Sequence, residues 1–241
     1  MIRDLLWAIR WLRKNPLFTV AITAILALGI GANTAVFSVV DAVLLRPLPY
    51  RSSSRLVRLE ETSPKIATVG ISAAECLEWR TRTDLFQKVM PYMKDVVTMT
   101  GIGEPVQIVA LRTSVDLFPT LGVRARLGRA LVDSDDKFNT TNIAVLSDRM
   151  WRRLFHADPG IVGRGITLSG NVYTVVGVMP VEFQFPSSDI ELWTPLHLAP
   201  ASTTWVDVVA RMRNGVSLAQ LRSAMGIVAR RLEREDPRRK A

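Results

Sequence analysis

Residues 17–40 read LFTVAITAILALGIGANTAVFSVV, an uncharged run of 24 residues. As an α-helix rising about 1.5 Å per residue it extends roughly 36 Å, enough to cross a hydrocarbon core of about 30 Å. A core helix of a soluble protein seldom runs so long without a charge, and the apolar part of a cleaved signal peptide is typically only about 7–15 residues. The run is therefore read as a transmembrane helix, assigned to residues 16–46. Pro16 suits the first helical position, where its missing N–H leaves no bond unmade, and Asn15 before it is a capping residue. Pro47 and Pro49 cannot extend the helix, so residues 41–45 are expected to form a last turn beyond the lipid.

Within the run, Ala27, Gly31 and Ala35 recur every four residues, flanked by Ala24, Gly29, Asn33 and Ser38. Small residues at that spacing let helices approach closely in lipid, and Asn33 offers an amide for a hydrogen bond across the contact. Ala27, Gly31, Asn33 and Ala35 are the candidate helix-packing face. The face implies partner helices in the membrane, which the chain itself does not supply.

Residues 1–15 place Ile2, Leu5, Leu6, Ile9 and Leu12 at helical spacing, with Arg3, Arg10, Arg13 and Lys14 largely off that stripe. The pattern is that of a short amphipathic helix lying on the lipid bilayer surface. Its basic excess orients the N-terminus towards the cytoplasm and the bulk of the chain, from residue 50, to the outside. Arg46, Arg51, Arg55 and Arg58 follow the span and weaken this asymmetry.

The whole chain has 241 residues, 48% of them hydrophobic and 22% charged, with a formal net charge of +9. So much apolar material excludes intrinsic disorder. The mean hydropathy of +0.18 is high for a chain this basic and reflects the single apolar run. Cys76 is the one cysteine, which excludes an internal disulfide and a multi-cysteine zinc site.

Beyond residue 50, short strands alternate with helices. Residues 56–60, 95–100, 106–114, 143–146 and 206–212 read as strands, with a turn at Gly101 and Gly103. Residues 166–178 read as a hairpin turning at Gly170 and Asn171. Ser72 with Glu75, and Ser217 with Gln220, have capping-box spacing and open helices. Ser147 caps a further helix carrying Met150, Trp151, Leu154 and Phe155. The helix opened by Ser217 carries Leu218, Leu221, Met225, Val228 and Leu232 on one stripe, then runs into Pro237 and a basic tail at 238–240. The fold class is α+β in two lobes: one at about 50–115 with 196–241, the other inserted at about 116–195.

Residues for chemistry are sparse. No GxxxxGK[ST] occurs, so the chain itself is not expected to bind a nucleoside triphosphate. His156 and His197 belong to no Ser/His/Asp arrangement, and His156 suits a helix C-terminus. Asp133, Asp135, Asp136 and Asn139 lack EF-hand spacing and read as a solvated loop. Cys76 sits in the first turn of a capped helix, where a thiol pKa can fall, although a lone cysteine is more often a small buried residue. Trp7 and Trp11 suit a membrane interface, and Trp79, Trp151, Trp193 and Trp205 suit the core. The positive charge accompanies no nucleic-acid motif. No catalytic residue, metal ligand or cofactor site is assigned.

Several stretches carry a resemblance: WLRKNPLFTVAITAILALGIGANTAVFSVVDAVLLRPLPY at 11–50, LGVRARLGRAL at 121–131, IAVLSDRMWRRLF at 143–155, IVGRGITLSGNVYTVVGVMPVEFQFP at 161–186, DIELWTPL at 189–196 and ARMRNGVSLAQLRSAM at 210–225. In these the chain resembles MacB-type ABC transporter permeases, the group of FtsX and the LolC and LolE proteins, and most of all the orphan permeases abundant in Acidobacteria. The resemblance implies one N-terminal transmembrane helix and a two-lobed MacB-like periplasmic core domain. It also implies a separate cytoplasmic ABC ATPase that binds ATP and drives the permease, with the chain in the inner membrane. Permeases of this group continue into three more membrane helices, so the chain is expected to be a piece of a longer permease. The alternative is a membrane-anchored interaction or sensor domain without transport of its own. The two part on whether the span can be replaced by an unrelated apolar helix.

Overall fold

The computed structural model describes residues 11, 13–40, 49–61, 70–136, 142–199 and 204–235, the backbone alone for 39–40 and 227–235. The amphipathic helix of 1–15 (Trp11 and residues 13–15 apart), the turn at 41–45, Arg46, Pro47, Asn139 and the tail at 238–240 lie outside them, as do the side chains of Val228 and Leu232.

Two units are distinct, residues 1–49 and 50–241. In the first, α1 (Pro16–Val40) is one continuous helix. Its stretch Pro16–Ser38 is long and apolar enough to cross a membrane, and none of it is buried within the chain. Trp11 packs edge-on against Phe18 at 5.2 Å. Thr19 and Ser38 fold their hydroxyls back onto the carbonyls of Asn15 and Thr34 at 3.0 and 2.7 Å. Each hydroxyl is thereby satisfied within the helix, as an apolar medium requires.

The second unit is built on one mixed sheet. Its strands are β1 (Leu56–Leu59), β2 (Ile71–Ser72), β3 (Phe86–Thr100), β4 (Val106–Thr113), β5 (Leu127–Gly128), β6 (Ile143–Leu146), β7 (Gly165–Leu168), β8 (Asn171–Val178), β9 (Leu192–Pro195) and β10 (Trp205–Met212). The helices are α2 (Ala73–Thr81), α3 (Leu117–Leu121), α4 (Asp148–Phe155) and α5 (Leu218–Glu235). The main path runs β1-β10-β3-β4-β9-β6-β8-β5.

β3 organises the sheet. Tyr92 pairs with Asp207 of β10 and with Thr113 of β4, so those strands lie on opposite edges of β3. Further along, Met99 pairs with Val106 of β4 and Leu168 of β7. β10 and β7 therefore share one edge of β3 at different heights. Because β7 also pairs with β8, strands β3-β4-β9-β6-β8-β7 close into a ring.

Side chains alternate across a strand, and the core divides accordingly. Ile143 and Val145 of β6, Leu111 of β4, Trp193 of β9, and Met90 and Tyr92 of β3 belong to one cluster, covered by Leu117, Phe118 and Leu121 of α3 and by Phe183 and Phe185. Ala144, Leu146, Ile108, Ala110 and Leu192 face the other way, against Met150, Trp151 and Phe155 of α4. A third cluster joins Val206, Val208 and Ala210 of β10 to Cys76 and Trp79 of α2 and Leu221 of α5. β6 is buried on both faces, which is why it reads as an unbroken apolar run.

The caps form as their spacing predicts. Ser72 accepts from Glu75 N–H at 3.3 Å and Ser147 from Met150 N–H at 3.1 Å. Ser217 and Gln220 cap each other reciprocally, at 3.2 and 2.8 Å. The 166–178 hairpin is β7–β8, with Leu168 opposite Asn171. One expectation fails: Trp205 is 48% exposed rather than core, because it begins β10 with its side chain on the open side of the strand.

Candidate functional site: the joint where the chain enters the second unit

Tyr50 to Arg55 is where the chain enters the second unit, and this segment is held by an unusual set of bonds. Tyr50 stacks edge-on with Phe183 and Phe185 at 6.3 and 6.2 Å, and burial raises its phenol pKa. Arg51 donates its backbone N–H to the Leu121 carbonyl at the end of α3, at 3.0 Å. Gly122 makes that approach possible. It sits at φ +76°, and a Cβ there would come within 2.9 Å of Arg51 Cβ. Arg55 closes a 3-10 turn over residues 53–55 through Ser52 O and reaches Met212 O at 3.3 Å and Asn214 Oδ1.

Arg211 on β10 completes the joint. It shares a strand face with Val209 of the α3-covered cluster, and it is only 4% exposed. Its guanidinium donates to the carbonyls of Ser52 at 2.9 Å, Thr120 at 2.8 Å and Arg51. Five fixed N–H groups let one arginine bridge three backbone segments at once. Burial lowers its pKa, and repulsion from Arg55 and Arg51 lowers it further. Nothing in the sequence marked Arg211, since its acceptors lie 91 to 160 residues away.

A cleft of about 290 Å³ opens beside the joint, lined by Arg51, Ser52, Arg55, Lys88, Asp116 and Arg211 among others. Lys88 pairs with Asp116 at 2.7 Å. The joint contains no nucleophile beside a base, and the described residues contain no cluster of metal-ligating side chains.

The other sequence candidates fall elsewhere. At about 100° per residue, α1 puts Ala24, Ala27, Gly31, Ala35 and Ser38 on one face. Asn33 stands roughly 160° around the helix from Ala35, on the side of Gly29, so it does not belong to the face with which it was grouped. Cys76 is fully buried, and burial pushes its thiol up to about 11, outweighing the lowering by Arg80. Its place in a first helical turn does not activate it. Asp135 is not solvated. It is buried and accepts Arg129 Nη1 and Nη2 at 2.6 and 3.0 Å and the Val132 N–H at 2.8 Å. His156 ends α4 in the left-handed conformation, and His197 Nδ1 lies 3.3 Å from Asp136 Oδ1.

An apolar helix of membrane-spanning length ahead of a mixed α+β body is the architecture of a membrane-anchored protein with an extracytoplasmic domain. Residues 19–227 match the family described as the MacB-like periplasmic core domain. The chain belongs to that family and so to the MacB-like ABC transporter permeases. No curated protein matches it significantly. The fold is similar to the periplasmic region of MacB from Actinobacillus actinomycetemcomitans, at TM-score 0.57 and 14% identity over 73% of this chain and 83% of that one. It is also similar to the extracellular domain of the noncanonic ABC-type transporter YknZ from Gram-positive bacteria, at TM-score 0.51 and 15% identity over 70% and 87%. A domain of a putative permease protein from Porphyromonas gingivalis matches at TM-score 0.52 and 17% identity over 73% and 81%.

Proposed function

We propose that the chain is the permease component through which a separate cytoplasmic ATPase moves the extracytoplasmic domain, driving export or extrusion. In this reading the N-terminus is cytoplasmic, α1 crosses the inner membrane, and the domain stands in the periplasm. ATP is bound by the ATPase and not by this chain, which works as a mechanical relay rather than an enzyme. α1 packs on further permease helices or a second copy through Ala27, Gly31 and Ala35. The domain moves as the two lobes assigned from sequence, 50–115 with 196–241 and 116–195.

The joint carries the reading. The first residues of the domain, 51 and 52, are fixed to α3 and β10 through backbone carbonyls, so a displacement that reaches them is passed into the sheet rather than absorbed locally. Extraction of the full chain in mild detergent from its native cells tests the proposal. An ABC ATPase should co-purify, and Gly31→Leu on the small-residue face should reduce that recovery while leaving the outer domain folded. A strictly monomeric chain without a membrane partner refutes it. Function that survives exchange of α1 for an unrelated apolar helix favours the sensor reading.

A further inference from the structure

Among the described residues, the cleft beside the joint gathers positive charge that a single carboxylate does not balance. Arg211 lies directly opposite Lys88 in the β10–β3 register, with Leu56 of β1 on its other side. Residues directly opposite share a face, and like charges there are unfavourable. Arg51 and Arg55 add two more guanidinium groups from the entering segment. Arg211 and Arg55 bond to neutral acceptors, three carbonyls for the first and a carbonyl and an amide oxygen for the second. These bonds orient the cations and leave their charge uncancelled. Among the described residues Asp116 is the one carboxylate lining the cleft, and it is engaged by Lys88, so four described cations face one described anion there.

We propose that this cleft is a binding site for a phosphate group, either the headgroup of an anionic lipid or free phosphate. Planar guanidinium forks match phosphate oxygens in paired hydrogen bonds, and a bound phosphate relieves the crowding of like charges. The volume of about 290 Å³ accommodates such a group. Arg51 follows Val40 of α1 by only eleven residues in sequence, so lipid headgroups are a source close along the chain. The site does not depend on an ATPase partner and stands apart from the transport reading.

The test uses the full chain immobilised in neutral detergent micelles. Retention of phosphatidylglycerol is compared with that of phosphatidylcholine, and inorganic phosphate is titrated by calorimetry. The variant is Arg51→Gln with Arg55→Gln. Its control is Arg164→Gln with Arg222→Gln, which removes the same charge at exposed positions outside the cleft. Selective retention of phosphatidylglycerol, weakened about tenfold in the cleft variant but not in the control, supports the proposal with a lipid as the source. Binding of inorganic phosphate with the same dependence, and no preference among lipids, supports it with free phosphate as the source. Equal weakening in both double variants, or no binding of either probe, overturns it. Should the double variant misfold, Arg51→Gln alone, at an exposed side chain, repeats the comparison against Arg164→Gln.

Discussion

Replacing Arg211 by Met isolates the contribution of its guanidinium to the joint. Methionine has similar reach along the same path, so packing against Val209 is largely kept while the donations to Arg51, Ser52 and Thr120 are lost. A buried acceptor left without a partner costs about 1–3 kcal/mol. Arg51 and Ser52 are exposed, so water restores much of their share, whereas Thr120 is half-buried. Removing a cation from beside Lys88, Arg55 and Arg51 offsets part of the loss. The net expectation is about 2–4 kcal/mol, concentrated in the entering segment. Hydrogen exchange on the full chain in detergent reads it at the Arg51 amide, bonded to Leu121 O at 3.0 Å. That amide should open roughly 30- to 1,000-fold more often, while Val145 in the doubly buried β6 changes far less. An Arg51 amide that exchanges at the wild-type rate would refute the reasoning. The segment would then be held by Tyr50, by the Arg51–Leu121 bond beside Gly122 and by Arg55, and Arg211 would have no part in the joint.

Gly177→Ala should lower stability by about 2–3 kcal/mol, because its Cβ would stand 2.1 Å from the Arg129 carbonyl oxygen and 2.8 Å from that of Leu127. Gly101→Ala, at φ +91° in open space, should cost only about 1 kcal/mol, and urea midpoints compare the two. Cys76 should resist maleimide at neutral pH until the domain unfolds, since the thiol is buried and protonated. Its pKa is raised from 9.0 to about 11, so its stabilising contribution is complete below pH 9 and is lost as pH climbs towards 11. The loss is on the order of 3 kcal/mol and is visible as a fall in urea midpoint that is smaller in Cys76→Ala, where the buried Tyr50 and Tyr92 phenols still contribute to the alkaline loss. Ser147→Ala removes the bond to Met150 N–H at 3.1 Å and should cost about 1 kcal/mol, again read from the midpoint.

The features legible in the sequence were those set by neighbours along the chain. A capping box needs only residues three apart, and Ser217 with Gln220 forms one. The β7–β8 hairpin needs only Gly170 and Asn171 between two β-rich arms. The first half of β3 was hidden by Pro91, which argues against a central strand. Pro91 is accommodated because its carbonyl accepts from Ser114 while β4 pairing begins one residue later, at Tyr92. β9 has four residues and pairs in parallel with β4, Ala110 with Leu192, so no local turn announces it. α3 is five residues long with a proline at 119, too short for a period to show. The joint was illegible for the same reason. Arg211 sits in a strand of ordinary appearance, and its burial depends on Thr120, Arg51 and Ser52, none of them near it in sequence.

The distance along the chain between Arg51 and Arg211 has a consequence for biosynthesis. Residues 50–55 leave the ribosome long before β10 exists, so the guanidinium that ties them down arrives only after the ring of strands has had its material delivered. Fixing of this entering segment to the body is thus one of the last events of maturation. A product cut short anywhere ahead of residue 211 lacks this tie, leaving its Arg51-to-Arg55 stretch open to proteases.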